Sequence, residues 1–312
     1  MNQTILILMG GVFALLAVAS LTGFILSRRV TSESGQAVVA NLNARIRAWW
    51  VMVAVFGVAF LVGKTLTIVL FALTSFYCLR EFLSITPTRP EDHRAIAVAF
   101  YLFIPLQYWL IADDWQTLFA ILIPVWAFLL LPVLAVLKGE TEDFLPRTAR
   151  IQWALMLTVY CISHAPALLI LNIPGFEGRN FLLLFFLITV VQLSDVLQYV
   201  FGKLFGRRQV APRVSPAKTW EGLIGGGLAT VLVGTGLYWI TPFTPLEAAA
   251  LALAIVLAGF AGGLVLSAVK RSLGAKDWGM MIEGHGGALD RMDSVSFAAP
   301  VFFHLVNYFF AA

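Results

Sequence analysis

Long uncharged stretches recur from one end of this chain to the other, the first running from Thr4 to Leu26 without an ionisable side chain. About 20 apolar residues suffice to cross the hydrocarbon of a bilayer, so repeated stretches of this kind place the chain in a membrane. Composition agrees. Hydrophobic residues make up 60% of the 312, against about 45–50% in a soluble domain, and the mean hydropathy is +0.88. The expected class is an all-α polytopic integral membrane protein. Within residues 4–26, "AVAS" at 17–20 resembles a signal-peptide cleavage site, but nothing basic precedes the run and it continues past that site. Both features favour a retained span. The two cysteines, Cys78 and Cys161, lie inside apolar runs, which excludes a disulfide framework or a cysteine metal site.

About ten spans are expected, at 4–26, 48–63, 65–82, 95–112, 115–137, 151–172, 181–201, 222–241, 246–266 and 295–311. The second and third are short, and little besides Lys64 parts them. The loops decide the count, because cytoplasmic loops collect Lys and Arg. With both termini outside and all ten segments crossing, the inner loops hold every basic residue of the 21 except Lys64 and Arg179. Merging the doubtful pair would scatter the basic loops over both faces. Ten spans with both termini non-cytoplasmic is therefore the expected topology. It puts loops 202–221 and 267–294 on the cytoplasmic side, where two polar stretches distant in sequence can meet. No internal repeat is visible. Trp49, Trp50, Trp278 and Tyr308 read as interfacial anchors. His164 and His304 read as packed or hydrogen-bonded.

The stretch 270–293, "KRSLGAKDWGMMIEGHGGALDRMD", carries four basic and four acidic side chains. Topology anchoring accounts for Lys270 and Arg271 but leaves Asp277, Glu283, Asp290 and Asp293 unexplained. Near-balanced charge suits a site that binds both a metal and a polyanion. Asp290 and Asp293, three apart, share one helix face. With Asp277 they offer the hard oxygen ligands that Mg²⁺ shares with phosphates and water. Lys270, Arg271, Lys276 and Arg291 can neutralise phosphate oxygens. The glycines of "GHGG" let backbone N–H groups approach a phosphate or let helices touch. His285 among them has two readings, phosphate contact and helix capping.

The other loop, "GKLFGRRQVAPRVSPAKTWEG", is basic. Its Ser215, Lys218 and Thr219 suit a nucleotide's phosphate tail without the spacing of a P-loop. Asp195 lies about eight residues before it, roughly 12 Å into the membrane at ~1.5 Å per residue. An ionisable residue at that depth marks a functional site or an interhelical pair.

"SAVKRSLGAKDWGMMIEGHGGALDRMD", Ser267 to Asp293, resembles the signature of the phosphatidate cytidylyltransferases, also called CDP-diacylglycerol synthases. That signature runs Ser-x2-Lys-Arg-x4-Lys-Asp and then His-Gly-Gly-x2-Asp-Arg-x-Asp, and each position is met here. "FGKLFGRRQVAPRVSPAKTWEG", preceded by Asp195, is similar to the family's second block. The resemblance spans roughly residues 195–297. It implies a division into N-terminal transmembrane helices over 1–180 and a C-terminal catalytic region over 181–312.

The resemblance also implies the reaction: a phosphatidate phosphate attacks the α-phosphorus of CTP, giving CDP-diacylglycerol and pyrophosphate, with Mg²⁺ as cofactor. Asp277, Asp290 and Asp293 would hold the metal, with Lys270 and Arg271 among the catalytic groups. Ser215, Lys218, Thr219, Ser267, Lys276, His285 and Arg291 would hold substrates. Many bacterial members precede the Ser-x2-Lys-Arg block with Gly-Asp-Leu-x-Glu-Ser. Here "GGLVLS" puts Gly263 and Leu266 where Asp and Glu are expected, which shifts weight onto Asp195 and Asp277 as metal ligands. Expected partners are CTP, phosphatidic acid and membrane lipids, with a homodimer as an open option and no nucleic acid. The expected location is the bacterial inner (cytoplasmic) membrane. The alternatives are a CTP-dependent lipid kinase of the polyprenol type, a degenerate non-catalytic relative acting as a scaffold, and an anionic-substrate transporter.

Overall fold

Within a bilayer an uninterrupted apolar run can satisfy its backbone groups only as a helix or in a closed barrel. This chain takes the helical solution. The computed structural model of the protein describes residues 3–137, 139–280 and 286–312. Among them ten helices carry the chain: α1 (Gln3–Arg29), α2 (Glu33–Val62), α3 (Lys64–Ser84), α4 (Pro90–Ala112), α5 (Gln116–Val136), α6 (Phe144–Ile170), α7 (Phe181–Phe205), α8 (Gly222–Gly236), α9 (Pro245–Ser272) and α10 (Leu289–Phe310). Single π-helical turns interrupt α4, α5 and α6 and open α8.

Eight of these helices, α1 to α7 and α9, are long and apolar enough to cross a membrane. The expectation of about ten spans is corrected to that extent, for two physical reasons. Helix α8 rises only about 22 Å at ~1.5 Å per residue, short of the ~30 Å of hydrocarbon. Helix α10 carries Ser296, His304 and Asn307 among its apolar residues, which leaves its hydropathy short of the other eight. The doubtful second and third segments are separate helices that fold back on each other at Gly63. Its φ of +118° is a conformation that side chains with a Cβ rarely adopt. Across the turn the rings of Phe56 and Phe71 lie 5.8 Å apart. Helix α2 starts at Glu33, well before the expected 48.

The all-α expectation holds for the membrane frame, and one loop adds a small strand pair. Loop 202–221 holds an antiparallel hairpin of β1 (Gln209–Ala211) and β2 (Ser215–Thr219), with Gln209 opposite Thr219 and Ala211 opposite Ser215. Glu221 locks its base by accepting from the backbone N–H groups of Arg207 and Arg208, both at 3.1 Å. Those hydrogen bonds, led by the one from Arg207, lower the Glu221 pKa.

Packing concentrates on α3, α6, α7, α9 and α10, where Phe71, Leu79, Phe186, Ala252 and Phe302 are fully buried. Helices α1 and α2 stand at the edge with most of their apolar side chains exposed. Lipid tails are as apolar as leucine, so helices associate in a bilayer by close packing of small residues. A Cβ at Gly226 of α8 would overlap the backbone of Gln198 in α7. At the start of α4, Asp92 and Arg147 of α6 form an ion pair of 3.0 Å in which each side chain is 2% exposed. Helix α9 begins with a capping box: Glu247 N donates to Thr244 Oγ1, and Thr244 N donates to Glu247 Oε2.

Candidate functional site

Residues 263, 267 and 270 recur at i, i+4 and i+7 along α9 and so share one helix face. On that face, which also carries Ser267, Gly263 meets Lys218 of the β-hairpin and Asp293 of α10, and Lys270 meets Asp290. Lys270 lies in the last turn of α9, where a cation complements the helix dipole. It is 8% exposed, and its Nζ donates to Asp290 Oδ1 at 2.6 Å. Asp290 Oδ2 accepts from the backbone N–H groups of Trp278 and Gly287, both at 2.9 Å. Asp290 thus ties together the end of α9, the connecting loop and the start of α10. Both its oxygens are engaged.

Two expectations for this loop need revision. Trp278, read as an interfacial anchor, is 1% exposed. It stacks on Phe82 of α3 with ring centroids 4.9 Å apart, because the loop folds inward rather than lying along the membrane surface. Lys276 and Asp277 stand exposed at the rim, so the described residues do not draw Asp277 into one cluster with Asp290 and Asp293. His285 and Glu283 lie outside the described residues.

The groups that meet in the interior are Asp195, Lys218, Asp293 and Ser294. Ser294 Oγ lies 3.0 Å from Asp195 Oδ1 and 3.4 Å from Asp293 Oδ1, so one hydroxyl joins a carboxylate of α7 to a carboxylate of α10. Asp293 Oδ1 also accepts from the Ser294 N–H at 2.7 Å. The pleat of β2 sends Lys218 toward this pair. Its Nζ donates to Phe260 O at 3.3 Å and sits 4.7 Å from the centre of the Phe260 ring. Burial lowers the Lys218 pKa, while Asp195 and Asp293 oppose that shift.

The neighbouring strand residues differ. Thr219 Oγ1 accepts from Gly222 N at 3.1 Å and so starts α8. Ser215, Ser267 and Arg291 are half-buried. Arg271 reaches the hairpin, its Nε donating to Val214 O at 3.4 Å. The two polar loops, distant in sequence, therefore do meet. Ala217 and Thr219 of β2 also line a cavity of about 430 Å³ together with Tyr199, Lys203 and Arg207.

Among the described residues no three His, Cys, Asp or Glu side chains converge on one point. Mg²⁺ does not need three. It usually keeps several waters and binds through one or two carboxylates plus substrate phosphates. The Asp195–Asp293 pair fits that donor set.

Sequence reasoning passed over Glu81. This α3 residue is 8% exposed. Its Oε1 accepts from Ala288 N at 2.9 Å and its Oε2 from Leu289 N at 2.8 Å. It caps the helix that bears Asp290 and Asp293 from 207 residues away. The available signal was a carboxylate beside Arg80 near the end of an apolar run. Ser294 was also missed, although it adjoins Asp293.

Residues 43–309 match the family described as Cytidylyltransferase family. The chain is 39% identical to Uncharacterized protein YnbB of Escherichia coli (strain K12) over 304 residues, 95% of this chain and 96% of that protein. It is 45% identical to Phosphatidate cytidylyltransferase of Mycobacterium leprae (strain TN) over 121 residues, 38% of each chain. It is 39% identical to Phosphatidate cytidylyltransferase of Staphylococcus aureus (strain COL) over 127 residues, 40% of this chain and 48% of that one. The matches to these two phosphatidate cytidylyltransferases thus span less than half of either relative.

Proposed function

Because this chain belongs to the cytidylyltransferase family, we propose that it transfers the cytidylyl group of CTP to phosphatidate at the cytoplasmic face of a bacterial inner membrane. A phosphate oxygen of phosphatidate bonds to the α-phosphorus of CTP, and the bond from that phosphorus to the oxygen bridging to the β-phosphorus breaks. The products are CDP-diacylglycerol and pyrophosphate. A phosphate monoester has a second pKa of about 6, so the nucleophile is already an anion at neutral pH and needs no general base. The demands that remain are charge neutralisation, alignment and stabilisation of the leaving group.

One observation carries this reading. Lys218 of the hairpin, Asp195 of α7 and the Asp293–Ser294 pair of α10 meet beside Gly263 of α9. Asp195 and Asp293 would hold Mg²⁺, which when bound neutralises phosphate charge and stabilises departing pyrophosphate. Lys218 and Lys270 would face the phosphates from the interior, and Arg271, Lys276 and Arg291 from the rim. Ser215, Thr219 and the basic cavity beside β2 would take the CTP side, with Ser267 and His285 toward the lipid phosphate. Asp290 would hold Lys270 and the loop in register. Partial relatedness to phosphatidate cytidylyltransferases supports the substrate assignment.

The test uses purified protein in mixed micelles with phosphatidic acid, Mg²⁺ and CTP. Pyrophosphate released in step with CDP-diacylglycerol is expected. Release of CDP instead would mean attack at the γ-phosphorus and a lipid kinase. CTP binding with no product would mean a non-catalytic relative.

A further inference from the structure

Gly263 faces Lys218 across the gap between α9 and β2. A Cβ built on Gly263 would overlap the Lys218 ammonium, and the same Cβ would stand 3.7 Å from Asp293 Oδ2. The ammonium therefore occupies space that exists only because residue 263 has no side chain. Its partners there are neutral: the Phe260 carbonyl at 3.3 Å and the face of the Phe260 ring. Among the described residues it forms no ion pair with Asp195 or Asp293, although both carboxylates act on it electrostatically. The charge is thus parked beside the acidic pair without occupying the pair's oxygens.

We infer that Gly263 and Lys218 work as one unit, in which the berth at Gly263 seats the Lys218 ammonium as an internal cation that sets the affinity of Asp195 and Asp293 for a divalent ion. Both are positioning residues for that ion, and the inference rests on the cation site proposed above. The physical reason is Coulombic. A unit charge a few ångströms from a half-buried ion-binding pair repels an arriving dication, and solvent screens it incompletely. In the absence of nucleotide, the divalent ion is therefore held weakly. A triphosphate that draws the ammonium out of its berth removes the repulsion, so nucleotide and metal bind cooperatively. The coupling is reciprocal, as linkage requires.

The test measures Mn²⁺ binding to the detergent-solubilised full chain without nucleotide, by the paramagnetic resonance signal of free Mn²⁺, in wild type, Lys218→Met, Gly263→Ala and the double variant. Lys218→Met keeps the stem and removes the charge. Gly263→Ala meets only the flexible end of a lysine, so the fold has room to adjust. Its methyl takes the space the ammonium fills and displaces it from the berth. Each single variant should tighten Mn²⁺ binding about tenfold or more, and the double variant should bind no tighter than either single one.

Unchanged affinity in Lys218→Met would overturn the internal cation. Tightening in Lys218→Met but not in Gly263→Ala, or tightening that multiplies in the double variant, would overturn the coupling through the berth. Absence of Mn²⁺ binding in all four proteins would remove the cation site itself, and the inference with it.

Discussion

Replacing Glu81 by glutamine tests how the site is held open for business across the length of the chain. The carboxylate accepts from Ala288 N at 2.9 Å and Leu289 N at 2.8 Å, one N–H on each oxygen, and the residue is 8% exposed. Those amides sit at the start of α10 and belong to the donors that a helix cannot satisfy internally. Glutamine keeps one acceptor oxygen and turns an NH₂ toward the second amide. One buried donor is then left without a partner, a loss of about 1–3 kcal/mol. Losing the negative charge at a helix N-terminus adds about 0.3–1 kcal/mol. The sum is about 1.3–4 kcal/mol. If the first turn of α10 must be formed for turnover, the rate falls by up to roughly 10- to 700-fold, since each ~1.4 kcal/mol is tenfold. The assay combines label transfer from CTP to lipid with hydrogen exchange read at residues 286–293. Glu81→Gln should slow transfer and speed exchange there together, and Glu81→Asp should restore part of both. Wild-type rate and wild-type exchange in Glu81→Gln would refute the cap.

Other perturbations have equally definite outcomes. Asp92→Ala leaves the buried guanidinium of Arg147 without its partner and should cost about 3–5 kcal/mol, seen as a lower thermal midpoint in micelles. Gly226→Ala forces a methyl into the Gln198 backbone. Overpacking of this kind costs about 1–3 kcal/mol, and melting of the purified variant measures it. Burial lowers the Lys218 pKa from 10.5, so its ammonium deprotonates at a lower pH than an ordinary lysine. CTP affinity should therefore fall with rising pH below 10.5, and Lys218→Arg, always charged, should remove that alkaline limb.

Much of the helical frame could be read from residues alone, because apolar runs in a bilayer have one main conformational outlet. The misjudgements have local causes. Residues 33–47 are too polar to read as span, yet they continue α2 as helix. The apolar glycine-rich run of α8 continues to residue 241 and predicts a longer span, whereas the α-helix ends at Gly236. The hairpin escaped notice because Pro212 and Pro216 obscure strand alternation, and Gln209 Nε2 instead steadies it by donating to Pro216 O at 2.9 Å.

The site was legible in its residue types and only partly in its partnerships. Asp195, Lys218 and Asp293 announced themselves as charges next to apolar spans. Nothing in the local sequence ties Glu81 to Leu289, since that contact exists only once α3 packs beside α10. Nor could spacing reveal that Asp290 engages Lys270 while Asp293 shares Ser294 with Asp195. Two carboxylates three apart on a helix look equivalent until their neighbours are known.

Cytidylyl transfer at the Asp195–Asp293 site is tested by following α-phosphate label from CTP into chloroform-soluble lipid, with phosphatidic acid and Mg²⁺ present, in wild type, Asp195→Asn and Asp293→Asn. Labelled CDP-diacylglycerol is expected from the wild type, with a loss of at least about a hundredfold in each variant, as removal of a group that stabilises transition-state charge entails. Undiminished transfer in Asp293→Asn, or no lipid label from a wild type that still binds CTP, would contradict transfer at that site.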